Sequence, residues 1–182
     1  MFSRKALVCR ITGAASGLLM AAGNMQGLLA PLQVVALIPI FCLGASRNVR
    51  HRDMLLAGGY MGLGYILPQI VMLRFAIPVT LVLLIHFMIL MIALAWCSAY
   101  LLRRGTVLSS FAVGALLVLL DWANFTVLPM WGEAQSLGRC WSSYPYLIQF
   151  TSITGITGII FVLGTLQALV VNFALWPNMT AL

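Results

Sequence analysis

One stretch of the chain gathers most of the side chains that could do chemistry. Between residues 121 and 145 the sequence reads DWANFTVLPMWGEAQSLGRCWSSYP, which holds two of the three acidic residues and three of the five tryptophans. Such groups suit a site that grips a lipid headgroup or an acyl chain. The simpler interpretation of the same rings is an aromatic belt at headgroup level. The candidate lipid-facing or substrate-facing residues are Asp121, Trp122, Trp131, Glu133, Arg139, Trp141 and Gln149.

Each charged or reactive group in this stretch also has an ordinary interpretation. Asp121 closes the apolar run VLLD, where an ionised carboxylate is costly unless it meets a partner or interfacial water. Glu133 and Arg139 are close enough in sequence to pair with each other. Cys140 would need an activating base to act as a nucleophile, and its nearby cation is Arg139. We therefore predict no catalytic residue in this chain.

The cysteines and His86 predict neither a metal site nor a cofactor site. The four cysteines, at positions 9, 42, 97 and 140, fall in separate segments without CxxC spacing. This pattern is typical of small apolar packing residues. His86 lies among Leu, Ile and Phe, which favours a hydrogen-bonded core histidine over a proton relay. We expect no cofactor and no metal.

The overall composition indicates the solvent that surrounds these residues. Of the 182 residues, 63% are apolar and 7% are charged, whereas a soluble domain has about 25% charged residues. The net charge of +7 comes from basic residues spread between apolar runs. This distribution is typical of residues that set the orientation of membrane spans, and not of a nucleic-acid-binding face. The composition predicts an all-α, multi-pass protein of a cytoplasmic-type membrane.

Charged breaks divide the chain into six apolar segments, and a membrane span needs about 20 such residues. The first two segments are weakly separated, and Pro31 and Pro39 follow the break. A single bent or re-entrant element is therefore the alternative to the two helices that we favour. We predict one transmembrane domain over 1–182, with spans of about 11–24, 28–45, 54–73, 75–102, 107–126 and 146–176 and an outer loop of 127–145.

The basic residues predict the orientation of these spans. A cytoplasmic N-terminus leaves only Arg74 and Arg139, of the ten Lys and Arg residues, in outer loops. Cytoplasmic loops of membrane proteins carry an excess of Lys and Arg. Six spans then return the C-terminus to the cytoplasm.

Several motifs occur in an order that resembles a known family. The segments GLLAPLQVVALIPIF, GGYMGLGYILPQIVML, LLDWANF and YLIQFTSITGITGIIFVLGTLQALVVN together resemble the membrane domain of bacterial apolipoprotein N-acyltransferase. The chain departs from that family at Asp121, where glutamate is more usual, and in the stretch WGEAQSLGRCW. The residues that would take the family's motif positions are Pro39, Gly59, Gly62, Gly64, Asp121, Gln149, Gly155 and Gly158.

The resemblance implies a role in acyl transfer from a phospholipid to the N-terminal amine of a lipoprotein. The family's enzyme performs this step with a Glu-Lys-Cys triad in a nitrilase-like extracytoplasmic domain, for which we expect no counterpart here. The chain's one lysine, Lys5, precedes the first span, so these residues cannot assemble the triad. We expect a membrane half in a bacterial cytoplasmic (inner) membrane that is inactive alone and is either a fragment or a split subunit. Its expected partners are membrane lipids, lipoproteins and, for a split subunit, a separately encoded nitrilase-like protein.

Two further interpretations stay open, and neither involves nucleic acid. One is a standalone membrane scaffold or interaction protein without catalysis. The other is a small transporter that uses Asp121 and His86.

Overall fold

The computed structural model describes residues 4–74, 76–129 and 136–176. Regular structure in these ranges is helical throughout, and no β-strand occurs in them. Six segments of the described chain are long and apolar enough to cross a membrane. The α-helices are α1 (Arg4–Met25), α2 (Ile38–Ala45), α3 (His51–Leu73), α4 (Ile77–Leu102), α5 (Val107–Val127) and α6 (Pro145–Leu175), with 3₁₀ helices at Gly27–Val34 and Arg139–Ser143.

The outer faces of the helices are apolar, as a lipid solvent requires. On α4, Leu81, Ile85 and Ile89 recur at helical spacing and are 52%, 57% and 60% exposed. A soluble monomer rarely carries a continuous apolar stripe of this kind, but hydrocarbon chains cover it at no cost. The prediction of an all-α, multi-pass membrane protein is confirmed.

Short polar contacts at two breaks set where helices begin. The hydroxyl of Thr106 accepts a hydrogen bond from the backbone N–H of Ser109 at 3.2 Å, which caps α5. At α3, the Asp53 carboxylate accepts from the backbone N–H of Arg50 at 3.3 Å. Each contact satisfies a backbone donor near a helix start. The charged and polar breaks between apolar runs thus act as helix caps.

Small residues bring α1, α3 and α4 into close contact. A Cβ atom at Gly13 would collide with the carbonyl oxygen of Ala57, and one at Gly17 would collide with that of Met61. A step of four residues along α1, from Gly13 to Gly17, matches a step of four residues in the same direction along α3, from Ala57 to Met61, so the two helices run parallel. Gly62 in turn faces the backbone of α4. Glycine therefore sets the spacing of these helices, as is usual for helix pairs in membranes.

The second apolar segment is the one that departs most from a regular span. It begins as the 3₁₀ helix Gly27–Val34, which contains Pro31, and continues as α2, with Pro39 in its first turn. Proline lacks a backbone N–H and so breaks the α-helical ladder. The backbone N–H of Leu37, at the junction, donates instead to the Gln167 side-chain oxygen at 2.7 Å. Two separate elements, α1 and this broken segment, thus occupy the region where a single bent element was the alternative.

The two ends of the helix bundle differ in charge. Arg103 donates to the carbonyl oxygens of Gly44 at 3.1 Å and Val49 at 2.6 Å, and the Arg47 guanidinium lies 4.9 Å from the ring centroid of Trp176. These contacts gather the starts of α3 and α5 and the ends of α2, α4 and α6 at one end, which we call the arginine end. The basic residues there are Arg4, Lys5, Arg10, Arg47, Arg50, Arg52, Arg103 and Arg104.

Arg103 is expected to stabilise the arginine end more than its neighbour Arg104 does. An Arg103→Lys variant keeps the charge but loses the pair of hydrogen bonds to the carbonyl oxygens of Gly44, in the last turn of α2, and Val49, in the loop after it. Hydrogen bonds from charged groups contribute about 1.5–3 kcal/mol each. We expect the free energy of unfolding in detergent to fall by about 1–3 kcal/mol. Arg104→Lys is the matched control, since Arg104 donates to the exposed Tyr100 hydroxyl at 3.1 Å and lies 5.0 Å from the centroid of that ring. This substitution should cost under about 0.5 kcal/mol. Equal losses in the two variants would contradict this prediction.

Candidate functional site

At the end of the bundle opposite the arginines, the chain folds back onto the helices. The segment 136–144, which we call the cap, connects α5 to α6 and includes the second 3₁₀ helix. Three of its side chains are almost fully enclosed, with Ser136 6%, Cys140 5% and Trp141 7% exposed. A loop between two membrane helices with such burial is part of the packed structure, and therefore needs polar partners for its backbone.

Asp121 holds the start of the cap. Its carboxylate accepts a hydrogen bond from the Ser136 hydroxyl at 3.0 Å and lies 3.4 Å from the backbone nitrogen of Leu137, which also donates to it. Asp121 lies on α5 and is partly buried. An acid within a membrane span is expensive unless it is paired, and here the donors of the cap supply that pairing. In the structure Asp121 therefore acts as a hydrogen-bond acceptor that fixes the cap to α5, and we call it the anchor of the cap.

The 3₁₀ helix of the second span holds the rest of the cap. The indole N–H of Trp141 donates to the side-chain oxygen of Gln33 at 3.0 Å, and both residues are buried. The Tyr144 ring packs against Trp141 with centroids 5.7 Å apart. A Cβ atom at Gly27 would collide with the Ser143 hydroxyl. The irregular second span therefore serves as the surface on which the cap rests.

A cavity of about 30 Å³ lies between α3, α4, α5 and the cap. Its walls are mostly Leu, Met and Phe side chains, but Tyr65, Asp121 and Asn124 also line it. The Tyr65 hydroxyl accepts from the Asn24 amide at 3.0 Å, and His86 Nε2 lies 3.0 Å from Asn124 Oδ1. A water molecule needs about 10–15 Å³, so the cavity accommodates one small polar group among apolar walls.

Leu137 separates this cavity from a second, smaller one. It lines both cavities, as does Leu117 of α5. The second cavity has a volume of about 10 Å³ and is also lined by Gln33 and Gln167. Leu137 of the cap and Leu117 of α5 therefore form the wall that the two cavities share.

The thiol of Cys140 is poorly suited to nucleophilic attack. Burial raises its pKa from 9.0 to about 11, so almost all of it is protonated at neutral pH, and the thiolate is the reactive form. The thiol donates to the Leu137 carbonyl oxygen at 3.5 Å. Among the described residues, no group of His, Cys, Asp and Glu side chains could hold a metal ion. The described site can bind polar groups by hydrogen bonds, and shows no activated nucleophile.

The structure separates the candidate residues that the sequence placed in one loop. Asp121 and Trp141 both form hydrogen bonds that fix the cap to the helices, although we expected the Trp141 ring at headgroup level. Trp122 is 60% exposed on the outside of α5, and Arg139 and Gln149 are exposed as well. The remaining two candidates, Trp131 and Glu133, lie outside the described residues.

Sequence reasoning missed three residues that build the site. Tyr65 and Asn124 line the cavity, and Gln33 holds the indole of the cap. Tyr65 and Gln33 lie inside apolar runs and Asn124 lies just after Asp121, and all three are fully or almost fully buried. A single polar side chain in a long apolar segment was the available signal, because buried polar groups need partners. Its partner could not be known, since the contacts cross between helices far apart in sequence.

Comparison with known proteins identifies a family for the chain. The apolipoprotein N-acyltransferase N-terminal domain family matches residues 16–169, which run from α1 into α6 and include the cap. Neither the curated proteins nor the solved structures contain a match to the chain. The family match covers most of the 182 residues and confirms the resemblance seen in the motifs. The chain belongs to the apolipoprotein N-acyltransferase N-terminal domain family.

Proposed function

We propose that this chain is the membrane half of a system that moves an acyl chain from a phospholipid to a lipoprotein. The observation that carries the proposal is the family match over residues 16–169. In this proposal the chain admits lipid at the cap end, while a separately encoded nitrilase-like protein performs the transfer. The chain alone has no transfer activity.

The distribution of reactive residues supports the division of labour. A Glu-Lys-Cys triad needs its three side chains at one place, but Lys5 is in the first turn of α1 at the arginine end. Cys140 lies at the opposite end, in the cap. A helix of about 20 residues, or about 30 Å, separates the two ends. These residues cannot meet, so Lys5 and Cys140 do not form the triad, and in this proposal the nucleophile lies outside these 182 residues.

The charge difference between the ends supports the orientation that the proposal needs. The arginine end carries eight of the ten basic residues, and the cap end carries Arg74 and Arg139. Basic residues favour the cytoplasmic side. The cap would then face the outside of a bacterial cytoplasmic membrane, where a lipoprotein amine and the outer phospholipid leaflet are both within reach.

Reconstitution tests the proposal directly. The chain is placed in phosphatidylethanolamine vesicles with a synthetic peptide that carries an amino-terminal diacylated cysteine, and acylation of the amine is followed by mass spectrometry. We expect no acylated peptide from the chain alone, and acylation when a nitrilase-like protein from the same cell is added. The nitrilase-like protein by itself, in the same vesicles, is the control.

Two outcomes would overturn the proposal. Acylation by the chain alone would show that its own residues supply the nucleophile. Failure of every nitrilase-like protein of the source cell to bind the chain or to acylate the peptide would favour the scaffold interpretation.

A further inference from the structure

The first part of α6 carries three apolar side chains that are exposed in the described structure, two of them almost fully. We call residues 145–154 the arm. Tyr146, Phe150 and Ile153 recur on one face of the arm at helical spacing and are 87%, 42% and 86% exposed. Residues spaced by three and four lie on the same side of a helix. The arm therefore presents an apolar stripe that begins directly after the cap.

A break at Gly155 separates the arm from the membrane-spanning part of α6. Gly155 has φ 68° and ψ 178°, a backbone conformation that is almost confined to glycine. The part beyond it, residues 156–175, is about 30 Å long at 1.5 Å per residue, which equals the thickness of a hydrocarbon core. The arm adds about 15 Å that the core cannot contain in the same direction. The break at Gly155 therefore allows the arm to run in a different direction from the rest of α6.

The polar groups of the arm need little water. The hydroxyls of Ser152 and Thr154 donate to the carbonyl oxygens of Gln149 and Phe150, at 2.7 Å and 3.1 Å. The arm has no charged side chain. Side-chain bonds of this kind remove the cost of placing a hydroxyl in a medium with few water molecules. The arm is thus suited to the boundary between headgroups and acyl chains.

From these observations we infer that the arm is an interfacial helix, which lies along the membrane surface at the cap end with its Tyr146, Phe150 and Ile153 face in the lipid. The occupant of the apolar stripe is the phospholipid bilayer itself. Continuity with the spanning helix places the stripe at the depth where an amphipathic helix buries its apolar face, about 5–10 Å into the headgroup and acyl boundary. The inference does not depend on acyl transfer or on a catalytic partner.

Spin labels on two adjacent residues test this placement. Ile153→Cys and Ser152→Cys are made separately in a background whose four native cysteines are alanine, and the labelled proteins are placed in phosphatidylethanolamine and phosphatidylglycerol vesicles. Adjacent residues point about 100° apart around a helix. Paramagnetic relaxation by oxygen, which concentrates in lipid, is compared with relaxation by a nickel chelate, which stays in water. A label at Ile89, on the lipid-facing side of α4, gives the value for hydrocarbon.

We expect the ratio of oxygen to nickel accessibility to be about threefold higher or more at position 153 than at position 152. Nickel accessibility that dominates at both positions would place the arm in water and overturn the inference. Spin–spin broadening at position 153 would show a second copy on the stripe, and would overturn it as well. If the alanine background does not fold, benzoylphenylalanine at position 153 of the native chain gives the answer by photo-crosslinking, with phospholipid adducts expected and protein adducts contradicting the inference.

Discussion

Replacement of Gly58 by alanine is expected to lower the free energy of unfolding by about 1–3 kcal/mol. A Cβ atom at this position would lie 2.6 Å from the Cα of Ile92 and 2.9 Å from the carbonyl oxygen of Met91. Both obstacles are backbone atoms of α4, which cannot move aside without separating the two helices. The measurement is unfolding of the purified protein in mixed micelles of increasing sodium dodecyl sulfate content.

The adjacent glycine provides a matched control. A Cβ atom at Gly59 would meet only the ends of the flexible Met88 and Ile92 side chains, at 3.8 Å and 3.9 Å. Alanine also favours the helix over glycine by up to about 1 kcal/mol. We therefore expect Gly59→Ala to leave the stability unchanged or to increase it. The prediction for α3 and α4 packing would be wrong if the two variants unfolded at the same detergent composition.

The second large effect is expected at the anchor of the cap. Asp121→Leu removes the acceptor for the Ser136 hydroxyl and the Leu137 backbone N–H, and a buried donor left without a partner costs about 1–3 kcal/mol. The cap should then open more often and expose Cys140. Because burial also raises the pKa of this thiol to about 11, opening both exposes the sulfur and returns it to an ordinary pKa.

Alkylation of Cys140 reports this opening. In a background in which Cys9, Cys42 and Cys97 are alanine, we expect Asp121→Leu to raise the rate of reaction with a maleimide by about tenfold or more, since 1.4 kcal/mol corresponds to a factor of ten. Asp121→Asn keeps one side-chain oxygen as an acceptor and should have a smaller effect. Trp122→Leu is the control on the same helix, as Trp122 is exposed. An unchanged rate in Asp121→Leu would mean that the cap does not depend on its acid.

The sequence was sufficient for most of the fold because long apolar runs in lipid have few alternatives to the helix. The fourth segment shows this well, since an apolar run predicted over about 75–102 is a helix over Ile77–Leu102. The second segment was harder. Pro31 and Pro39 indicated a bend. The 3₁₀ helix that forms there packs against α1 and the cap, and a hydropathy pattern carries no information on such contacts between distant segments.

The candidate site was predictable only in part, for a similar reason. The cluster of polar and aromatic residues between 121 and 145 contains the cap and Asp121, and the lipid-facing role expected for these residues stays a prediction. It did not identify Tyr65 or Gln33, because these residues reach the site from helices distant in the chain. We expected the Trp141 ring at headgroup level, whereas the structure buries it between the cap and the second span, where its indole N–H donates to Gln33.

The bond between Leu37 and Gln167 has a consequence for how the protein is made. A ribosome synthesises the Leu37 backbone N–H 130 residues before its partner, so the broken second span enters the bilayer with that donor unmatched. An unpaired amide in hydrocarbon costs several kcal/mol, which holds the nascent segment near the translocon or near water. The native pairing of the Leu37 amide can therefore form only after α6 has brought Gln167 into place.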